Sequence, residues 1–274
     1  MPKTQSPLKS HIPYILRMRD CILTVDIGNT TTHIGVFENG RVRFSFRLAS
    51  THTRTPDEAS LLLKQILREG NLSPSELDGA VIASVVPVLT PMFQQVIHSV
   101  CDTEPVVVTH QSKFTITIDF AHPEQIGADR VANAEAFWIE HKTAGVVVDF
   151  GTATTFDVIS AAGAFVGGAI APGLETSADR LAHKAAQLPK VGFGPPLSAI
   201  GKTTEEALLS GVFFGAVGAV DEIVGRIANE LGGSPRIIAT GGLAERVAPE
   251  SKWIQQVDPI LTLKGLRSLY QLNR

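Results

Sequence analysis

The sequence predicts an α/β protein built as two similar lobes, each a mixed sheet flanked by helices, with a cleft between them. Three observations carry this expectation. Apolar runs of strand length alternate with stretches of helical periodicity along the chain. A strand ending in D-x-G, followed by a hydroxyl-rich turn and a second strand, occurs twice, at Asp26 and at Asp149, nearly half the chain apart. The 274 residues suffice for about two domains. An interval this long argues for duplicated lobes and against a solenoid, whose period is about 20–50 residues.

Taken in order, the chain opens on Lys3, Lys9, Arg17 and Arg19 around the short apolar run Ile12–Leu16. That run holds Pro13 and is too short for the apolar region of a signal peptide. Residues 1–18 are expected to be a disordered extension, with lobes over 19–142 and 143–274. Cys21–Ile27 reads as a buried strand, and Gly35–Phe37 with Val42–Leu48 continue it as a meander around the Asn39-Gly40 turn. Thr55–Glu69 reads as a helix, with Pro56 in its first turn, Asp57 and Glu58 matched to the N-terminal dipole, and Gly70-Asn71 as the stop. Strands follow at Gly79–Ser84 and Pro105–Thr109, with a helix at Pro91–Cys101 between them. Gly127–His141 is a helix. Gly145–Asp149, Thr154–Ser160 and Phe165–Ile170 are strands, the last two joined by a turn at Gly163. Thr203–Leu231 is one long or two abutting helices. Arg236–Thr240 is a strand, Leu243–Val247 a short helix and Leu263–Leu272 the last helix. Strands alternating with helices imply sheets covered by helices.

Composition narrows the function classes. With 24 Lys and Arg against 27 Asp and Glu, the net charge is −3. A broad basic surface for nucleic acid is therefore disfavoured, and any phosphate recognition must be local. The two cysteines, Cys21 and Cys101, form no disulfide framework and no ligand pair, which fits a reducing, cytoplasmic location. The longest apolar run, Ala207–Val220, is shorter than the roughly twenty residues a membrane span needs, so no membrane association is expected.

The D-x-G turns carry the chemistry. Glycine after the aspartate lets the backbone approach a ligand. Exposed N–H groups in a tight turn form an anion-binding nest, and the Thr and Asn side chains beside it add donors. A carboxylate next to phosphate is repelled unless a cation lies between, so Asp26 and Asp149 are candidate cation anchors. Two familiar phosphate motifs fail. Gly201-Lys202-Thr203 has Pro196 where a Walker A loop needs glycine, and Gly192 and Gly194 are followed by Leu197 where G-x-G-x-x-G needs its third glycine. Gly241-Gly242, after a strand, allows close ligand approach. Gly127-Ala128-Asp129-Arg130 opens a helix, with Asp129 suited to the positive N-terminus and Arg130 able to present a planar fork to a carboxylate or amide. The similar Ala178-Asp179-Arg180 lacks the preceding glycine and reads as a solvated helical segment. His33, just past the first turn, is placed to touch a ligand there. Ser84-Val85-Val86-Pro87 ends a strand at a bend with a ligand-facing edge. Gly211 and Gly215, with Ala207 and Ala219, form a small-residue stripe suited to close packing within the chain or across a dimer.

In order along the chain, these motifs resemble the type III pantothenate kinases, of the actin-like (ribonuclease H-like) superfamily. The resemblance rests on T-V-D-I-G-N-T at Thr24–Thr30, S-V-V-P at Ser84–Pro87, G-A-D-R at Gly127–Arg130 and D-F-G-T-A-T-T at Asp149–Thr155. It extends through G-G-A-I-A-P-G at Gly167–Gly173, L-P-K-V at Leu188–Val191 and A-T-G-G-L-A at Ala239–Ala244. It implies ATP-dependent phosphorylation of the primary alcohol of pantothenate, the first step of coenzyme A synthesis. It further implies that Asp26, Ile27, Gly28, Asn29, Thr30, Thr31, Thr32 and His33 form the first ATP-phosphate loop and that Thr152 contacts ATP. Mg²⁺ would sit near Asp26, through water, and a monovalent cation, K⁺ or NH₄⁺, on Asp149. Gly127, Ala128, Asp129 and Arg130 would bind pantothenate, with Asp129 as proton acceptor. Thr204 would reach the substrate of the partner subunit, which implies a homodimer. Phe120 departs from the family, whose members often carry Tyr there. Its ring keeps the packing but loses a hydroxyl hydrogen bond, worth about 0.5–1.5 kcal/mol. Two other readings of the scaffold stand beside this one: a non-catalytic transcriptional regulator, and another actin-like phosphotransferase.

Overall fold

The computed structural model describes residues 20–184 and 194–274. The 1–18 extension and the Leu188–Val191 motif lie outside the described residues.

Two mixed sheets form the body. The first contains β1 (Cys21–Ile27), β2 (Thr31–Glu38), β3 (Arg41–Ala49), β4 (Gly79–Ser84) and β5 (Val106–Val107), in the order β3-β2-β1-β4-β5. The second contains β6 (Thr117–Ile118), β7 (Gly145–Phe150), β8 (Ala153–Ile159), β9 (Ala164–Pro172), β10 (Arg236–Thr240) and β11 (Gln256–Val257). Read from its β9 side it runs β9-β8-β7-β10-β11, the same order as the first sheet, with β6 added beyond β9. In each sheet the first three strands are an antiparallel meander, and the first strand also pairs in parallel with the fourth. The repeat of D-x-G in the sequence is thus a repeat of topology. Exchanges tie the sheets together: β6 comes from before the second D-x-G strand, and the C-terminal helix packs on the first sheet.

The helices are α1 (Pro56–Glu69), α2 (Thr90–Cys101), α3 (Ala128–His141), α4 (Leu174–Lys184), α5 (Thr204–Leu231), α6 (Ala244–Val247) and α7 (Leu261–Asn273). Helix α1 begins where its sequence says it should. Thr55 and Glu58 form a reciprocal capping box that satisfies two otherwise unpaired N–H groups. Thr203 and Glu206 do the same for α5. Helices α1 and α2 cover one face of the first sheet, burying Leu63, Ile66, Leu67, Phe93 and Ile97 against Leu23, Val25 and Ile27. On the far face of the second sheet, α5 lays Phe213, Val217, Val220 and Val224 on Val146, Val148 and Phe156.

Between the sheets lies a shared layer of α3 and α7. Ala132 of α3 and Leu263, Leu266 and Leu269 of α7 pack on Ile22, Phe37 and Val81 of the first sheet. Val131, Ala134 and Phe137 of α3 pack on Val147, Ile159, Phe165 and Ile238 of the second. Strand side chains alternate between faces. On β1 the residues facing this layer have the parity of Ile22, Thr24 and Asp26; on β7 they have the parity of Gly145, Val147 and Asp149. Both D-x-G aspartates therefore project from the ends of their sheets toward the same middle layer.

The strands and helices read from the sequence are present, with ends shifted by a few residues, and Thr204–Leu231 is a single helix. Two strands escaped the reading: β6 and β11 have two residues each, too short for a periodic pattern. Helix α4 was read only at Ala178–Arg180, because it follows the G-G-A-I-A-P-G strand without a polar cap in the sequence. Helix α5 also exceeds what its fourteen-residue apolar run suggested. Among the described residues it is the one helix long and apolar enough, by length and composition, to cross a membrane. It buries a stripe at Ser210, Phe213, Val217, Val220, Val224 and Ala228 on the second sheet and leaves the opposite side exposed.

The middle layer closes through Gly265 of α7, where an added Cβ would lie 1.9 Å from the Ala132 carbonyl oxygen of α3. Backbone against backbone leaves no side chain to give way. Gly265→Ala should cost about 1–3 kcal/mol from overpacking, a fall of several degrees in Tm. Thermal unfolding of that variant checks this; an unchanged Tm would show that α3 and α7 are not packed backbone to backbone.

Candidate active site

The two D-x-G ends are built alike. After Asp26, the Gly28 N–H donates to the Thr31 carbonyl at 3.1 Å; after Asp149, the Gly151 N–H donates to the Ala153 carbonyl at 3.1 Å. Each is a tight hairpin that turns its loop toward the middle layer. The turns meet: the hydroxyls of Thr30 and Thr152 are 2.9 Å apart, one from each sheet. Thr176 of α4 donates its hydroxyl to the Thr152 carbonyl at 2.7 Å, steadying the second turn.

Beside them opens a cleft of about 410 Å³. Asp26, Gly28, Asn29, Thr30, Thr31, His33, Asp129, Asp149 and Thr152 line it. The remaining residues named by the resemblance do not. Ile27 is buried in the core, and Thr32 is buried with its hydroxyl 2.8 Å from that of Ser50. Arg130 and Phe120 lie behind Asp129, on the side of β8 and β9, while Gly127 neighbours Val85 and Ala128 packs toward the first sheet. Thr204 is exposed at the first turn of α5.

Gly127 explains how Asp129 is held. A Cβ at Gly127 would lie 2.3 Å from Asp129 Oδ1. Only without it can the carboxylate fold back over the helix start, where Oδ1 accepts the Arg130 backbone N–H at 2.8 Å. The helix N-terminus attracts this charge. Burial nevertheless raises the Asp129 pKa, an effect the Arg130 hydrogen bond and guanidinium partly offset.

Asp149 is oriented through a relay. Its Oδ2 accepts Asn133 Nδ2 at 3.0 Å, and Asn133 Oδ1 accepts the Thr262 hydroxyl at 2.7 Å. Asn133 lies one helical turn beyond Asp129 on α3, and Thr262 is on α7, so the middle layer aims both aspartates. Burial pushes the Asp149 pKa up to about 6, against the pull of Asn133. Its Oδ1 has no hydrogen-bond partner among the described residues and faces Gly241 (φ +93°), where an added Cβ would lie 2.5 Å away. Glycine keeps that space open beside a free carboxylate oxygen.

Asp26 is the third acid. Its pKa is raised well above the usual value by burial, then by the charges of Asp129 and Asp149, with Arg47 pulling the other way. Opposite Asp26 in the β1–β2 pairing is His33. Burial, and then Arg47, lower the His33 pKa to about 4, so the ring is neutral at physiological pH, and its buried Nε2 lacks a partner.

These donors suit hard cations. Carboxylate and backbone oxygens match Mg²⁺ or K⁺ chemistry. Among the described residues no three His, Cys, Asp or Glu side chains form a metal cage by themselves. A cation here would take one carboxylate from the protein and complete its shell with phosphate oxygens, backbone or water.

Several lining residues were not anticipated. Arg47 of β3 projects into the cleft and donates Nη2 to the Pro259 carbonyl at 3.0 Å. In the sequence it is one of several arginines in an exposed alternating strand, with nothing to single it out. Glu175, Thr176 and Asp179 of α4 form the rim; the Asp179 segment is solvated, as read, but its solvent is the cleft. Asn133, one helical turn past Asp129, could have been found from that spacing.

The sequence profile described as type III pantothenate kinase matches residues 22–226. The type III pantothenate kinase of Anaeromyxobacter dehalogenans is 46% identical over 253 residues, covering 92% of this chain and all of that protein. Among solved structures, a Campylobacter jejuni protein provisionally assigned to the Baf family of transcriptional activators superposes with a TM-score of 0.57 at 21% identity, covering 91% of this chain and 97% of that one. A Sinorhizobium meliloti protein provisionally described as a 2-dehydro-3-deoxygalactonokinase superposes with a TM-score of 0.53 at 16% identity, covering 91% and 96%. These two likenesses speak to the two-lobed α/β fold alone. Length, identity and coverage settle the family: this chain belongs to the type III pantothenate kinases, which phosphorylate pantothenate with ATP to begin coenzyme A biosynthesis.

Proposed function

We propose that ATP lies across the two D-x-G turns and that Asp129 accepts the proton of the pantothenate hydroxyl as it attacks the γ-phosphoryl group. The observation that carries this reading is the meeting of Asp129 with both turn ends in one cleft. Asp26, Gly28, Asn29, Thr30, Thr31, His33 and Thr152 face the phosphates. Gly127, Ala128 and Arg130, with the Phe120 ring, bind the acceptor on the other side of Asp129.

Phosphoryl transfer through a loose transition state asks the protein for alignment and charge neutralisation more than for a strong base. Asp129 meets the first need by being pinned at the start of α3. Burial raises its pKa, which makes it a better proton acceptor than an exposed carboxylate. The turn N–H groups bind phosphate oxygens without bringing charge. Arg47 supplies positive charge at the cleft wall. Mg²⁺ carried with ATP, linked to Asp26 through water, would neutralise the phosphates, and K⁺ or NH₄⁺ on the free Oδ1 of Asp149 would do so from the other sheet.

We infer a homodimer in which Thr204 completes the acceptor site of the partner. The exposed side of α5 supports this. Gly211, Gly215 and Gly218 lie on it with no described residue near their Cβ positions, so a second helix can approach closely. The cleft's several carboxylates and single arginine favour recruited cations and a small anionic substrate over nucleic acid. The two free cysteines suit the reducing cytoplasm.

Three outcomes follow. Asp129→Asn should lose nearly all ADP release in a coupled assay with pantothenate, ATP, Mg²⁺ and K⁺, while still binding ATP in calorimetry. Activity above a few per cent would remove Asp129 as the proton acceptor. Mixing Asp129→Asn with Thr204→Arg, each inactive alone, should restore up to about a quarter of wild-type turnover after subunit exchange, because each mixed dimer keeps one intact site. No recovery, with exchange verified, would place Thr204 outside the partner's site. The third concerns pH. Asp149 is raised from 3.8 to about 6. Its contribution is fully present below about pH 4 and is lost as pH rises through 6. Asp149→Asn keeps the Asn133 hydrogen bond and abolishes this loss. Its Tm advantage over wild type should grow from pH 4 to pH 8, to on the order of 5 °C. At pH 8, K⁺ should raise the wild-type Tm and not that of the variant. An advantage that shrinks with pH would contradict the assignment.

A further inference from the structure

Behind the cleft, Arg130 is gripped on three sides. Its Nε donates to Asp157 Oδ1 at 2.5 Å. Its guanidinium carbon stands 5.5 Å from the Phe165 ring centroid, and Phe165 is in turn met edge-on by Phe120, with centroids 6.0 Å apart. Its Nη2 passes over Gly168, whose added Cβ would lie 3.4 Å from that nitrogen and 1.6 Å from the Phe156 carbonyl oxygen. Asp157 is fully buried in β8, directly opposite Gly168 in the β8–β9 pairing, and its Oδ2 has no hydrogen-bond partner among the described residues.

This is a costly arrangement for a fold to keep. A buried carboxylate with one orphaned oxygen destabilises the protein relative to a well-packed apolar residue. Nothing in the core needs a charge there: Phe156 and Val158 beside it on β8, and Val147 opposite it on β7, are apolar and buried. What the arrangement does achieve is orientation. With Nε committed to Asp157 and one ring face on Phe165, the guanidinium plane is fixed. Its Nη atoms make no hydrogen bond among the described residues, and the side chain keeps 12% of its surface exposed. The free edge of the fork is the edge that pairs with a planar carboxylate.

We propose that Asp157 is a positioning residue that fixes the Arg130 guanidinium so that its free edge meets the acceptor's carboxylate. The proposal rests on the assignment of Gly127–Arg130 to pantothenate binding and names what aims that segment's charge. Asp157 touches no substrate. It acts through Arg130, and its loss should fall on acceptor affinity and leave nucleotide affinity alone.

The test uses steady-state kinetics on the full-length enzyme. Asp157→Ala should raise the KM for pantothenate at least tenfold, with the KM for ATP within twofold of wild type. Asp157→Asn, which keeps an oxygen for the Arg130 Nε, should give a smaller rise and can be read if the alanine variant fails to fold. In an Arg130→Ala background, Asp157→Asn should add less than twofold. Pantothenol, in which an alcohol replaces the carboxylate, should be turned over equally by wild type and Asp157→Asn. An unchanged pantothenate KM in Asp157→Asn, or a full additional loss in the Arg130→Ala background, would overturn the proposal. If wild-type enzyme shows no pantothenate turnover at all, the acceptor assignment itself falls and this inference falls with it.

Discussion

Three carboxylates, Asp26, Asp129 and Asp149, face one cleft, and burial raises the pKa of each. The same cleft is the one proposed above to hold the ATP phosphates. Negative charge inside a partly buried site repels negative charge strongly, since screening there is weak. A fold that holds three acids at this point must supply positive partners. It supplies few of its own: Arg47 at the wall, turn N–H groups and the start of α3. The rest has to come with the ligand. On the proposed function, cation dependence would follow from which residues stand in the cleft, and the absence of a Walker A lysine in this chain points the same way.

The shared middle layer makes that concentration of charge possible. Helices α3 and α7 pack on both sheets at once and on each other through Gly265. Asp129 starts α3, and Asn133 one turn later holds Asp149. Thr262 of α7 holds Asn133. One layer therefore fixes Asp129, the proposed proton acceptor, and orients the acid of the second sheet, and both sheets project their D-x-G ends toward it. Alignment, which phosphoryl transfer requires above all, is a property of this packing.

Much of this was legible in the sequence because it is local. The D-x-G turns need glycine next to aspartate, capping boxes need Thr and Glu at fixed spacing, and strands show as apolar runs; each is written within a few residues. The duplicated sheet order followed from the echo of Asp26 in Asp149. What stayed hidden depends on contacts across the chain. Arg47 enters the cleft only because β3 flanks β2, and Asn133 matters only because Asp149 arrives beside it. Asp157 carried a faint signal, a charged residue amid the apolar run Phe156–Ile159, but its meaning depends on Arg130, far away in sequence and adjacent in space. The two-residue strands β6 and β11 left no pattern to read, whereas the equally short β5 showed through the apolar run around it. The span of α5 was legible, but whether it was one helix or two was not, because Asp221 and Glu222 interrupt its apolar run without interrupting the helix.

The central claim is that the cleft binds polyphosphate through recruited cations. Calorimetric titration of a non-hydrolysable ATP analogue, with Mg²⁺ present, into protein in potassium and then in tetramethylammonium buffer of equal ionic strength tests it most directly. The larger ion cannot enter the space beside Asp149. Affinity should fall at least tenfold on the exchange, and equal affinity in the two buffers would contradict the account.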